Sequence, residues 1–155
     1  MAVDCNAGLA GVQRACRYEP GREFRIQVHV TQAPAGGYYA FEVRIQWLDD
    51  HLDYLRAADL ADELLWPRCD LPVQHPMGPA LLHYGCFQNA LDTSEDTGAL
   101  LEFQFLCQAD GATPMAFLLD LMQPKQGTHF KGARLRPLET ITNDAQVTCG
   151  SGTGA

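Results

Sequence analysis

At 155 residues the chain is the size of one domain, and a chain of this length buries roughly 68–70% of its unfolded surface. Hydrophobic residues make up 46% and charged residues 19%, an ordinary globular balance with a slightly low charge count. The net charge of −8 argues against nucleic acid and against anionic membrane surfaces, both bound through Lys and Arg, and leaves protein and glycan partners open.

Residues 4–21 read as an irregular opening punctuated by Gly8, Gly11, Pro20 and Gly21. Phe24, Ile26, Val28 and Val30 then alternate with Arg25, Gln27 and His29, the period of a half-buried strand. Pro34-Ala-Gly-Gly marks a turn. Phe41, Val43, Ile45 and Trp47 follow, alternating with Glu42, Arg44 and Gln46. These four apolar residues are large, β-branched or aromatic, which suits a central strand facing a core. The short connection between the two strands predicts an antiparallel pair.

Leu52-Asp-Tyr54-Leu55 reads as a short strand, and Ala57 to Leu65 is helix-like up to Pro67. Pro67, Pro72, Pro76 and Pro79 exclude a regular central strand over residues 67–79. Ala80 to Tyr84 is a short strand, and residues 88–98 form a polar acidic loop. Leu101, Phe103, Phe105 and Cys107 give a third clear alternation, with Glu102, Gln104 and Leu106 on its other face. Asp110-Gly111 is a turn signal, and Phe117, Leu119 and Leu121 predict a further strand. A Pro/Gly-rich stretch precedes a last strand that carries Ala145, Val147 and Cys149 on one face. Many short strands at near-regular spacing predict an all-β, two-sheet antiparallel sandwich with one short helix.

Six cysteines spread along the chain, with no Cys-x-x-Cys pair, fit disulfides in an oxidising compartment better than a zinc ribbon or a redox motif. Several pairings are open. Sequence neighbours around turns favour Cys5–Cys16 and Cys69–Cys86, and Cys107–Cys149 would tie two late strands together. No stretch approaches membrane-span length, so direct membrane insertion is not expected. Met1–Asp4 has neither the basic start nor the apolar run of a signal peptide. Residues 1–149 are expected to form the domain, and residues 150–155, Gly-Ser-Gly-Thr-Gly-Ala, a flexible linker or tail.

The order of these pieces resembles the cohesin domains of bacterial surface and cellulosome proteins. Pro20-Gly-Arg-Glu-Phe24-Arg-Ile26-Gln-Val28-His-Val30 is similar to that family's Gly-x-x-Phe-x-Val-x-Val opening strand. Tyr38-Tyr-Ala-Phe41-Glu-Val43-Arg-Ile45-Gln-Trp47 resembles the strand with its early apolar alternation, and Leu52-Asp-Tyr54-Leu55 the strand start that follows. Thr97-Gly-Ala-Leu-Leu101-Glu-Phe103-Gln-Phe105 is similar to the family's Gly-x-Leu-x-x-Leu/Ile-x-Phe strand, and Asp144-Ala-Gln-Val147-Thr to a terminal one. The resemblance spans residues 3–149 and implies a jelly roll of about nine strands. The six cysteines depart from cellulosomal cohesins. They look like those of cohesin-like domains in large secreted proteins of bacteria such as Chloroflexi. No contact motif of the family's partner-binding face is matched.

Three groups are candidate sites. The polar set Glu42, Arg44 and Gln46, with Glu102, Gln104 and Leu106, could form one flat protein-binding face or an ordinary solvated one. Tyr38, Tyr39, Trp66 and Tyr84 could form an aromatic platform for a sugar, or could be packing residues. Asp92, Ser94, Glu95 and Asp96 could offer oxygens to calcium, although the spacing is not that of an EF-hand and a solvated acidic loop is the simpler reading. The five histidines show no His-x-x-x-His spacing, and no cofactor or enzyme fingerprint is present. The expectation is a non-catalytic, extracellular or cell-surface adhesion or assembly module within a larger secreted protein. Its partner would be a dockerin-like or other surface protein. A carbohydrate-binding module, or a structural spacer or filament subunit, is the alternative.

Overall fold

A computed structural model describes residues 1–48, 50–57, 80–87, 93–118, 127–132, 134 and 136–151, together with the backbone of 73–76. Among these residues lie twelve strands: β1 (Ala2–Asp4), β2 (Ala15–Tyr18), β3 (Glu23–Val30), β4 (Ala40–Gln46), β5 (Leu52–Ala57), β6 (Val73–Pro76), β7 (Leu81–Phe87), β8 (Gly98–Cys107), β9 (Gly111–Phe117), β10 (His129–Lys131), β11 (Pro137–Leu138) and β12 (Ala145–Cys149). The smaller sheet runs β1-β3-β8-β5. The larger runs β11-β10-β4-β9-β12-β2, with β7 also on β4 and β6 on β7. Among the described residues every strand pair is antiparallel except β12–β2, where the last strand lies parallel to an early one.

The alternations of β3, β4 and β8 are borne out. Phe24, Ile26, Val28, Val30, Phe41, Val43, Ile45, Trp47, Leu101, Phe103 and Phe105 are all buried between the sheets. Each such side chain contributes roughly 1.5–3 kcal/mol relative to exposure. The Trp47 and Phe105 rings meet edge to face at 5.1 Å, and the buried indole N–H donates to the Leu52 carbonyl at 3.1 Å. That bond removes the penalty of a lone polar atom in the core.

The expected β3–β4 pair is not formed. β3 belongs to the smaller sheet and β4 to the larger, so their apolar faces meet across the core instead of lying side by side. The Gly36-Gly37 turn, with φ of 81° and 75°, lies on the connection between the two sheets. β9 also differs from expectation. It begins at Gly111 and ends at Phe117, with Thr113, Met115 and Phe117 inward, whereas Leu119 and Leu121 lie outside the described residues. The helix expected over 57–65 falls almost wholly outside them too, and Ala57 itself closes β5. The proline-rich stretch holds one strand, β6, which pairs only with β7 among the described residues, as an edge strand carrying Pro76 should.

Cys5–Cys16 and Cys107–Cys149 are bonded, with Cα separations of 5.9 and 5.6 Å. Both join the smaller sheet to the larger, one just after β1 to β2 and the other from β8 to β12. Cys86 is disulfide-bonded as well. The expected partner, Cys69, lies outside the described residues.

One edge of β4 is shared. β10 covers Ala40 to Glu42 and β9 covers Ile45 to Gln46. Thr128 fills the gap: its Oγ1 accepts from Arg44 N–H at 2.8 Å and donates to the Arg44 carbonyl at 3.0 Å. A side chain thus replaces a missing ladder residue and leaves no orphaned backbone group there.

Candidate docking faces

The outer face of the larger sheet has two halves. On β10, β4 and β7 the outward side chains are charged but largely withdrawn from solvent. Lys131 Nζ donates to Glu42 Oε1 at 2.6 Å and sits 4.9 Å from the centre of the Phe87 ring. Glu42 Oε2 lies 3.9 Å from His83 Nε2 and 4.0 Å from His129 Nε2. His129 Nδ1–H donates to the Gly127 carbonyl at 2.7 Å, which leaves the lone pair on Nε2. Burial pushes the His129 pKa down, against the opposing pull of the Gly127 bond and of Glu42. The Nε atom of Arg44 is buried without a hydrogen-bond partner among the described residues.

The other half, on β9, β12 and β2, is open and poor in charge. Ala112, Pro114, Gln146, Ala15 and Arg17 are exposed, Thr148 is half-buried, and Gln46 continues the surface from β4. Pro114 fits inside a strand here because Gln146 N–H points away from it, at the Arg14 carbonyl just before β2. The Pro114–Gln146 pair therefore needs no bond, and the missing proline donor faces the edge that β4 leaves uncovered.

The outer face of the smaller sheet is closed by its own hydrogen bonds. Glu102 accepts from Arg25 on one oxygen at 3.0 Å and from Gln27 on the other at 2.8 Å. The Gln27 side-chain Oε1 in turn meets His29 Nε2 at 2.9 Å, and His29 stands 3.6 Å from the buried Asp4 carboxylate. Gln104 accepts from Arg56 Nε at 2.9 Å and donates to Glu23. A bulge makes Leu55 the extra residue on β5, and it is 40% exposed.

No family model and no curated protein matches the sequence. Solved structures do. The seventh ScaB type I cohesin from Pseudobacteroides cellulosolvens overlays with a TM-score of 0.71 at 9% identity, over 99% of this chain and 92% of that one. The third ScaC cohesin of Acetivibrio cellulolyticus, solved in complex with the ScaB dockerin, overlays at 0.69 with 11% identity, over 97% and 99%. A non-cellulosomal cohesin from the archaeon Archaeoglobus fulgidus overlays at 0.59 with 12% identity, over 97% and 93%. The chain has the cohesin fold.

In this cohesin-like domain the six residues expected on one face are split between two. Glu42, Arg44 and Gln46 lie on the larger sheet. Glu102, Gln104 and Leu106 lie on the smaller, on the opposite side of the sandwich. Equal alternation on two strands cannot tell whether they share a sheet.

The aromatic platform is also corrected. Tyr38 is 0% and Tyr84 5% exposed, so neither presents a ring face to a sugar. The Tyr38 hydroxyl donates to the Asp96 carbonyl at 3.2 Å, and burial pushes its pKa up to about 12. Tyr84 packs edge-on to Phe103 at 5.9 Å. Tyr39 is half-buried, and Trp66 lies outside the described residues. Of the acidic loop, Asp92 lies outside them as well. Glu95 and Asp96 are exposed, and Asp96 Oδ2 accepts from Ser94 Oγ at 3.2 Å within its own turn. Among the described residues no three acidic, histidine or cysteine side chains form a metal-holding group.

Sequence reasoning missed the grouping of His83, His129 and Lys131 around Glu42. They come from β7, β10 and β4, and only their outward phase within each strand was there to read.

Proposed function

We propose that this domain is a non-catalytic protein-binding module of a larger extracellular or cell-surface assembly, and that a partner docks on the outer face of its larger sheet. The observation that carries the reading is the overlay along nearly the whole chain on a cohesin captured with its dockerin. The disulfides favour an oxidising, extracellular setting.

Two physical arguments favour the larger sheet. Protein interfaces are depleted of charge at their centres, and the surface of Gln46, Pro114, Gln146 and Thr148 is flat, open and nearly uncharged. On the smaller sheet Glu102 already accepts from Arg25 and Gln27, and Gln104 from Arg56, so a partner there would have to break existing bonds.

The test is recovery of a partner from the extracellular fraction of the source organism on the immobilised, oxidised domain. Gln46→Arg and Gln146→Arg should each weaken recovery about tenfold, as a misplaced charge at an interface does. Arg56→Ala on the smaller sheet should leave recovery unchanged. Loss with Arg56→Ala alone would move the face, and recovery of polysaccharide alone would end the protein-binding reading.

A further inference from the structure

The chain is acidic, yet four of its 11 Lys and Arg residues fall between positions 14 and 25: Arg14, Arg17, Arg22 and Arg25. All four are exposed. Arg25 pairs with Glu102, and Arg14 Nε donates to the Asp144 carbonyl. Arg17 and Arg22 make no ion pair among the described residues.

These arginines flank an open sheet edge. Among the described residues β2 pairs only with β12. Gln146 N–H donates to the Arg14 carbonyl and Gly150 N–H to that of Tyr18, so every second residue of β2 faces β12. The N–H and C=O groups of Ala15 and Arg17 therefore line the free side, and both residues are exposed. Beyond the end of β2 lies a groove of about 620 Å³, walled by Tyr18, Arg22, Glu23, Phe24, Arg25 and Gln104, where the Glu23 carboxylate is already engaged by Gln104. Its floor is the Tyr18 ring stacked on Phe24 at 4.1 Å.

We infer that the open edge of β2 is a second binding site, which takes an extended acidic peptide segment as an added strand. Unpaired edge groups supply main-chain hydrogen bonds to a peptide, and neighbouring side chains supply selectivity. Here Arg17 and Arg22 are cations without ion-pair partners among the described residues, and on a chain of net charge −8 such a strip favours acidic side chains. The exposed arginines also work against edge-to-edge pairing of two copies, since they would bring like charges together. The edge adjoins the proposed docking face and shares Arg17 with it, but main-chain pairing along β2 and binding across Gln46 and Gln146 are read at different residues, so either can fail alone.

The test uses the intact oxidised domain and a capped peptide of alternating valine and glutamate, about six residues long, the usual length of a strand. Amide shifts and slowed hydrogen exchange should appear at Ala15 and Arg17. Affinity should fall about tenfold in Arg17→Glu/Arg22→Glu and fall with salt, while Arg17→Lys should retain it. A valine–lysine peptide should not bind. An acidic peptide with proline in the pairing positions should bind weakly, because it cannot donate to the edge. No binding of the valine–glutamate peptide, equal binding of the lysine or proline peptide, or shifts confined to another surface would overturn the proposal. So would dimerisation of the domain through this edge, because the occupant would then be a second copy. The peptide controls decide the question on the unaltered domain even if a variant misfolds.

Discussion

Glu42 and His129 stand directly opposite each other on β4 and β10, with Oε2 4.0 Å from Nε2. The neutral imidazole is favoured: its Nδ1–H is committed to the Gly127 carbonyl, and burial opposes a second proton despite the nearby carboxylate. Lys131 and Arg44 add to that opposition. His29, facing Asp4 and Gln27, is lowered for the same leading reason, burial.

A histidine whose folded pKa lies below its unfolded value binds fewer protons in the native state. Its contribution is intact above the unfolded pKa of about 6.5 and is lost as the pH falls below it. The urea midpoint of the oxidised domain should therefore drop on acidification from neutrality, before carboxylates begin to protonate. His129→Asn, which keeps a donor for Gly127, should flatten that slope. An unchanged slope in both His129→Asn and His29→Asn would exclude these two rings as its source.

The two described disulfides close loops of different length, with sequence separations of 11 and 42. On the chain-entropy account the shorter stabilises by about 3 kcal/mol and the longer by about 4 kcal/mol. Replacing Cys107 and Cys149 together by alanine should lower unfolding free energy more than replacing Cys5 and Cys16. Equilibrium denaturation of the two double variants checks the order, and a reversed order would mean that residual unfolded structure or native contacts outweigh loop length.

Gly36 and Gly37 share one turn and a left-handed backbone, yet they should not tolerate change equally. A Cβ on Gly36 meets nothing within 4 Å, whereas one on Gly37 would lie 2.6 Å from Thr93 Cβ and 2.8 Å from the Ser94 carbonyl oxygen. Gly36→Ala should cost about 1 kcal/mol, the backbone penalty alone. Gly37→Ala should cost about 3 kcal/mol or more, because Ser94 is also hydrogen-bonded to Tyr38 across that contact. Thermal unfolding of the pair gives the comparison.

Much of this was legible in the residues. The period of two in β3, β4 and β8 named their inward sets, because a strand's phase is written in consecutive side chains and needs no partner. Cys5 and Cys16 were pairable because a short loop keeps them close in any fold. The order of strand patterns carried the cohesin resemblance, which the overlays bear out at the level of fold.

Tertiary structure decided the rest. Whether β3 and β4 pair or oppose is a choice between sheets, and alternation is identical in both cases. The split of Glu42, Arg44 and Gln46 from Glu102, Gln104 and Leu106 follows from that choice alone. The burial of Tyr38 and Tyr84 was hidden because a tyrosine suits a rim or a core, and only the neighbours Asp96 and Phe103 select between them. The grouping of His83, His129 and Lys131 around Glu42, and the open edge of β2, depend on which distant strands lie adjacent. That is set by the global packing of two apolar faces and is not encoded in any local stretch of the chain.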